Sequence, residues 1–239
     1  DGSNSYITNA TGALKLATET SGIALTIGHT TSETTIADNL TVTGTLSADS
    51  KDAILGKVEG TNFVDSLLVG HSTTGTLDNA IRNTGIGIDA LKSLTSGVGN
   101  TAVGNDAGEL INSGSSNTAI GKNALKAVTT GSNNTSVGLN SSVTVSTNSN
   151  NTAIGYSALN LTTGSSNTAV GYNALVANVG GTHNTAIGLS SLAAVDSGLK
   201  NIGVGYQAGD NITSGDGNVI IGSINAGSAT GDTQLIIAD

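Results

Sequence analysis

The stretch GSSNTAIGKNALKAVTTGSNNTSVGLNSS, residues 114–142, states nearly one phrase twice: Asn117-Thr-Ala-Ile-Gly121 returns as Asn134-Thr-Ser-Val-Gly138, seventeen residues on. With that Asn as position one, further copies start at Asn83, Asn100, Asn151, Asn167, Asn184, Asn201 and Asn218. Every interval is seventeen except the sixteen between Asn151 and Asn167, where the missing residue falls between Leu159 and Gly164. A degenerate copy, Ser66-Leu-Leu-Val-Gly70, precedes Asn83, and the fragment Leu235-Ile-Ile-Ala238 closes the series. A fixed period of this kind outranks other signals, because each copy is a structural unit that buries its apolar face only by stacking on its neighbours.

Within a copy the five residues read as a short strand with period-two sidedness. Position four is always Ile or Val: Val69, Ile86, Val103, Ile120, Val137, Ile154, Val170, Ile187, Val204 and Ile221. Position two is Thr in the central copies and Leu67, Ile202 or Val219 in the outer ones. Such tolerance suggests that positions two and four face a common interior. Position three is small in every central copy (Gly85, Ala102, Ala119, Ser136, Ala153, Ala169, Ala186, Gly203), and position five is Gly throughout. On this reading positions three and five press against another backbone outside the coil. The Ala-Leu pairs that follow, such as Ala90-Leu91 and Ala174-Leu175, mark a second buried strand or turn, and the Thr, Ser and Gly stretches between copies are turn material.

One copy is therefore one coil of an all-β parallel solenoid of about seventeen residues per coil. Nine intervals at an interstrand distance of ~4.8 Å give a rod about 43 Å long. Position one should form a stacked amide ladder. Seventeen residues with this much Gly cannot make a helix pair. Three chains around an axis would supply the close partner for position three, so the expected assembly is a homotrimer with Ala102, Ala119, Ser136, Ala153, Ala169 and Ala186 lining the axis.

The composition agrees with a small-residue fold. Among 239 residues there are 34 Gly, no Pro, Cys, Met or Trp and one Phe (Phe63), with 10% charged and 2% aromatic. The absence of Cys excludes disulfides. A net charge of −9 argues against a nucleic-acid partner, and no apolar run reaches the ~18 residues of a membrane span. The sequence opens at Asp1 without Met or a signal peptide and reads as part of a longer chain. Three regions follow: residues 1–50 as an N-terminal β shaft of short strands, probed by alternations such as Ile23, Leu25 and Ile27; residues 51–65 as a charged junction; and 66–239 as the solenoid. The first of these buries too little surface to stand alone and is expected to intertwine with its copies.

The phrases DGSNSYITNATGALKL (1–16) and NLTVTGTL (39–46) resemble those of marine bacteriophage tail-fibre proteins. The repeats NTAIGYSAL (151–159) and NTAVGYNAL (167–175) are similar to repeats in the same fibres and to the head repeats of trimeric autotransporter adhesins. The period of seventeen is longer than that of the adhesins. The resemblance implies a trimeric structural and adhesive fibre segment, extracellular on a virion, that presents or contributes to host-receptor binding. Its implied partners are its own copies, other tail or baseplate proteins, and a host-surface glycan or protein. Such fibres often continue into a chaperone domain that is cut off after trimerisation.

Nothing in the sequence assembles a catalytic set, and no cofactor, metal or membrane insertion is expected. His29, His71 and His183 fall in different places, and Asp89, Asp106, Asp196, Asp210 and Asp216 are scattered over the repeat phases. Tyr156, Tyr172 and Tyr206 share the position after the motif Gly and are candidate glycan contacts, although an outward ladder that stabilises the coil edge is the plainer reading. Alternatives to the phage fibre are a bacterial trimeric adhesin, a carbohydrate-binding solenoid and an ice-binding solenoid. An inward Thr at position two counts against the last.

Overall fold

The computed structural model describes residues 56–58, 67–69, 77–144 and 146–238. The 1–50 shaft and most of the 51–65 junction, with His29 and His71, lie outside the described residues. The strands are β1 (Gly56–Val58), β2 (Leu67–Val69), β3 (Thr84–Ile86), β4 (Thr101–Val103), β5 (Thr118–Ile120), β6 (Thr135–Val137), β7 (Thr152–Ile154), β8 (Thr168–Val170), β9 (Thr185–Ile187), β10 (Ile202–Val204), β11 (Val219–Ile221) and β12 (Leu235–Ile237). They form one sheet in chain order. From β2 onward every pair is parallel and in register, so that Thr118 lies beside Thr101 and Thr135, and Ala119 beside Ala102 and Ser136. The protein is a parallel β-solenoid of about ten coils. β1 runs antiparallel to β2, with Gly56 opposite Val69, and covers the edge that the first coil would otherwise leave open.

Each coil closes because the chain turns sharply at fixed phases. Position five adopts φ of +135° at Gly104 and +136° at Gly138, a region that L residues rarely enter. Positions seven, nine and seventeen are left-handed as well, for example Asn123 (φ 60°), Leu125 (φ 49°) and Asn133 (φ 59°). Asn tolerates this conformation locally; Leu pays roughly 1–2 kcal/mol for it. Complete burial of Leu125 offsets that strain at about 1.5–3 kcal/mol. The Ala-Leu segment is thus a buried turn, and coils bond to one another there too: Leu91 N–H donates to Ala107 O at 3.1 Å and Thr95 N–H to Asn112 O at 2.9 Å.

The faces of the strand are the reverse of the sequence expectation. Position three is the interior side: Ala102, Ala119, Ser136, Ala153, Ala169 and Ala186 are fully buried within their own chain. They therefore cannot line an axis between chains. Positions two and four point outward, with Thr half-buried and the position-four Ile exposed by 37% at Ile221 to 43% at Ile86. The reason is the narrowness of a seventeen-residue coil. A Cβ built on Gly85 would lie 3.2 Å from Ala90 O and 3.5 Å from Leu91 Cδ1 across its own coil, and 2.5 Å from Leu68 Cδ2 on the neighbouring strand, so little space remains above position three.

The stacked Asn ladder is present and buried. Asn83 Oδ1 accepts from both the backbone N–H (2.9 Å) and Nδ2 (3.0 Å) of Asn100, whose Nδ2 also donates to Gly114 O at 2.8 Å. The backbone N–H bond to the preceding Oδ1 recurs in every later coil. The Nδ2 bond to it is made at Asn117, Asn134 and Asn218 but not from Asn151 to Asn201. In the last coil Gln234 stands in, with its N–H and Nε2 reaching Asn218 Oδ1 at 2.9 and 3.0 Å. Among the described residues the apolar interior falls into two clusters, one ending at Val128 and the other starting at Ala153, while Val145, in the repeat phase of Val128, lies outside the described residues. Between them Ser136, Ser141 and Ser142 replace the usual Ala, Ala and Leu. Ser136 Oγ donates to Ser141 O, Ser141 Oγ donates to Gly138 O at 3.0 Å, and Ser142 Oγ has no partner among the described residues.

The reversed faces change what a substitution does. Ala153→Leu overpacks the coil's own interior and is expected to lower stability by about 1–3 kcal/mol whatever the assembly state. Thr152→Val, on the outer side, should move it by less than about 0.5 kcal/mol. Urea unfolding of the two variants separates them, and equal midpoints would contradict the assigned interior.

Candidate functional site

With the interior assigned, the surface chemistry concentrates on the outward side of the sheet. Two rows run along it. The first is Thr84, Thr101, Thr118, Thr135, Thr152, Thr168 and Thr185, flanked by the aliphatics Leu67, Ile202, Val219 and Leu235. Parallel register places these hydroxyls at the interstrand spacing of ~4.8 Å. None of the seven takes part in a hydrogen bond within the described chain. The second row is position four, Val69 to Ile221. No charged residue occupies either row. The sequence signal for this site was present in the invariance of position four, but it was read as the interior.

Beyond the Gly corner lies a third exposed row at position six. From Leu139 it continues through Tyr156, Tyr172, Leu189 and Tyr206 on five successive coils, all exposed. Tyr156 and Tyr172 stack on each other, with ring centroids 5.1 Å apart and planes 10° from parallel. Each ring thereby spends one face on its neighbour, an aromatic pair worth about 0.5–1.5 kcal/mol beyond area burial. Only the outer faces of the pair, and Tyr206 two coils further on, remain for a sugar ring.

The charged groups are arranged for support. Lys126 Nζ bridges to the preceding coil, 2.9 Å from Asp106 Oδ2 and 3.2 Å from Glu109 Oε2. The hydrogen bond to Asp106, followed by that to Glu109, holds the ammonium pKa above its ordinary value. Asp89 pairs with Lys92 at 3.2 Å, and Asp216 Oδ1 accepts from Leu199 N–H at 2.7 Å. His183 is exposed and its Nδ1 lies 3.0 Å from Thr182 Oγ1. Among the described residues no three His, Asp or Glu come together to hold a metal ion, and no helix is long and apolar enough to cross a membrane. A shallow polar recess of about 110 Å³ lined by Gln207, Asp210, Ser223, Ile224 and Asn225 is smaller than the ~300 Å³ at which ligand pockets begin.

No family model matches the chain, and no curated protein or solved structure matches it either.

Proposed function

We propose that this chain is a structural and adhesive segment of a bacteriophage tail fibre, assembled as a homotrimer that holds or contributes to a host-receptor-binding surface. The single observation that carries this reading is the uncharged outward face, along which Ile86, Ile120, Ile154, Ile187 and Ile221 remain about two-fifths exposed. Ten coil spacings of ~4.8 Å make it about 48 Å long. A face roughly 10 Å wide then covers on the order of 500 Å², Thr and aliphatic rows together, comparable to the largest patch on an ordinary soluble protein, which often serves a contact. The axis of the trimer is thus positions two and four rather than position three. The fibre-like phrases at 1–16 and 39–46 supply the phage part of the reading, and adhesion to a glycan falls on Tyr206 and the outer faces of the Tyr156–Tyr172 pair.

A second reading is favoured by one observation, the outward Thr row. The inward Thr that counted against ice binding points to solvent, and its seven unengaged hydroxyls form a regular array beside aliphatic side chains. One preparation separates the two. A fibre segment gives the mass of three chains by multi-angle light scattering and leaves the freezing point unchanged. A monomer that produces thermal hysteresis would overturn the fibre reading in favour of ice. Glycan-array signal that is lost in both Tyr156→Ala and Tyr206→Ala would assign the adhesive contact.

A further inference from the structure

Position four is not simply β-branched. From Val69 to Ile221 it alternates strictly, Val then Ile, over ten coils, and only Ile237 on the terminal strand, beside Ile221, breaks the order. The structure carries the alternation to the surface: each Ile is exposed and each Val only partly so. Nothing inside the chain requires it, because the row faces away from the core. Duplication of a two-coil unit does not account for it either. Position six reads Ile88, Asn105, Lys122, Leu139, Tyr156, Tyr172 on the same coils, and position three shows no period of two. The two-coil period, about 9.6 Å, belongs to this one row.

We propose that this row is the self-recognition seam of the protein, and that its occupant is the same row of other copies of this chain. A surface that repeats every second coil is matched by a partner with the same repeat, and a copy of the chain has it. In a parallel assembly about a threefold axis each coil meets its own equivalents. Layers of three Ile then alternate with layers of three Val. The larger triplets lean over the smaller ones and fill the column, as alternating large and small residues do in well-packed cores. Ile in every layer would overfill a column with a ~4.8 Å repeat, and Val in every layer would leave voids. Around such an axis each face is shared by two neighbours, so the area per pair stays below the ~800 Å² per partner of a standard interface, and the match of the two-coil period supplies the specificity.

This inference rests on the trimer proposed above, and the test keeps the two apart. Three forms of the full chain are compared, all with the same numbers of Ile and Val at position four. One is the native chain, one has every Ile and Val at these sites exchanged, and one has the Val residues blocked in the first coils and the Ile residues in the last. Light scattering gives the assembly state, circular dichroism checks the coil, and dilution gives the dissociation constant. The exchanged chain should trimerise within about twofold of the native one. The blocked chain should form the same solenoid but dissociate at least tenfold more readily. A native chain that stays monomeric or dimeric overturns the trimer. A native trimer whose blocked form is equally tight overturns the seam and leaves the trimer standing.

Discussion

Asn134→Leu is expected to lower the unfolding free energy by about 2–4 kcal/mol, a large share of the stability of a marginal chain. The residue is fully buried and serves two coils at once. Its Nδ2 donates to Asn117 Oδ1 at 3.1 Å and to Asn148 O at 2.9 Å, while its Oδ1 accepts the backbone N–H of Asn151 at 3.0 Å. Asn117 Oδ1 keeps a second donor, the backbone N–H of residue 134 at 3.0 Å. Asn151 N–H is left buried without this acceptor, at about 1–3 kcal/mol, and the partly buried Asn148 O loses its donor at a smaller cost. Leu cannot compensate by burial, since the site is sized and lined for an amide. Urea unfolding against Thr130→Ala, an exposed turn control expected to stay within about 0.5 kcal/mol, reads the difference. A midpoint equal to the control would mean that the ladder is a passenger.

Gly138→Ala should be of similar severity, about 3 kcal/mol or more, for a reason of backbone rather than bonding. The residue sits at φ +136°, and a Cβ there would lie 2.5 Å from Gly155 O and 2.7 Å from Gly155 C. Both atoms belong to the next coil, whose distance is set by the strand ladder, so neither can give way alone. Gly180→Ala is the matching control. A Cβ at that site meets nothing within 4 Å, and the loss of unfolded-state freedom is expected to stabilise by about 0.4–1 kcal/mol. The thermal midpoints should therefore move in opposite directions. A fall of the same size in both would point to chain flexibility rather than coil contact as the cause.

The recurrence of one phrase at a fixed interval made the solenoid, its strands, their register and the Asn ladder legible, because stacking identical coils forces equivalent residues into contact. What the recurrence did not decide is which side of the strand is inside. Thr and Val suit a buried β site and an exposed one equally, and the aliphatic replacements Leu67, Ile202 and Val219 look like core substitutions. The deciding quantity was room. Leu91, Leu125 and Leu159 project across a coil of seventeen residues, and only Ala, Ser or Gly fits opposite them. The Tyr156–Tyr172 stack was visible as adjacency in the repeat, whereas the face each ring offers depended on the plane the rings adopt.

The serine coil between Val128 and Ala153 sets a mechanical character for the rod. In a one-dimensional stack the work of separation is a sum of neighbour interfaces, and here one coil near the middle carries Ser136, Ser141 and Ser142 at phases where most other coils carry Ala or Leu. Under load along the axis this coil is expected to part more readily than the alanine- and leucine-filled coils beside it.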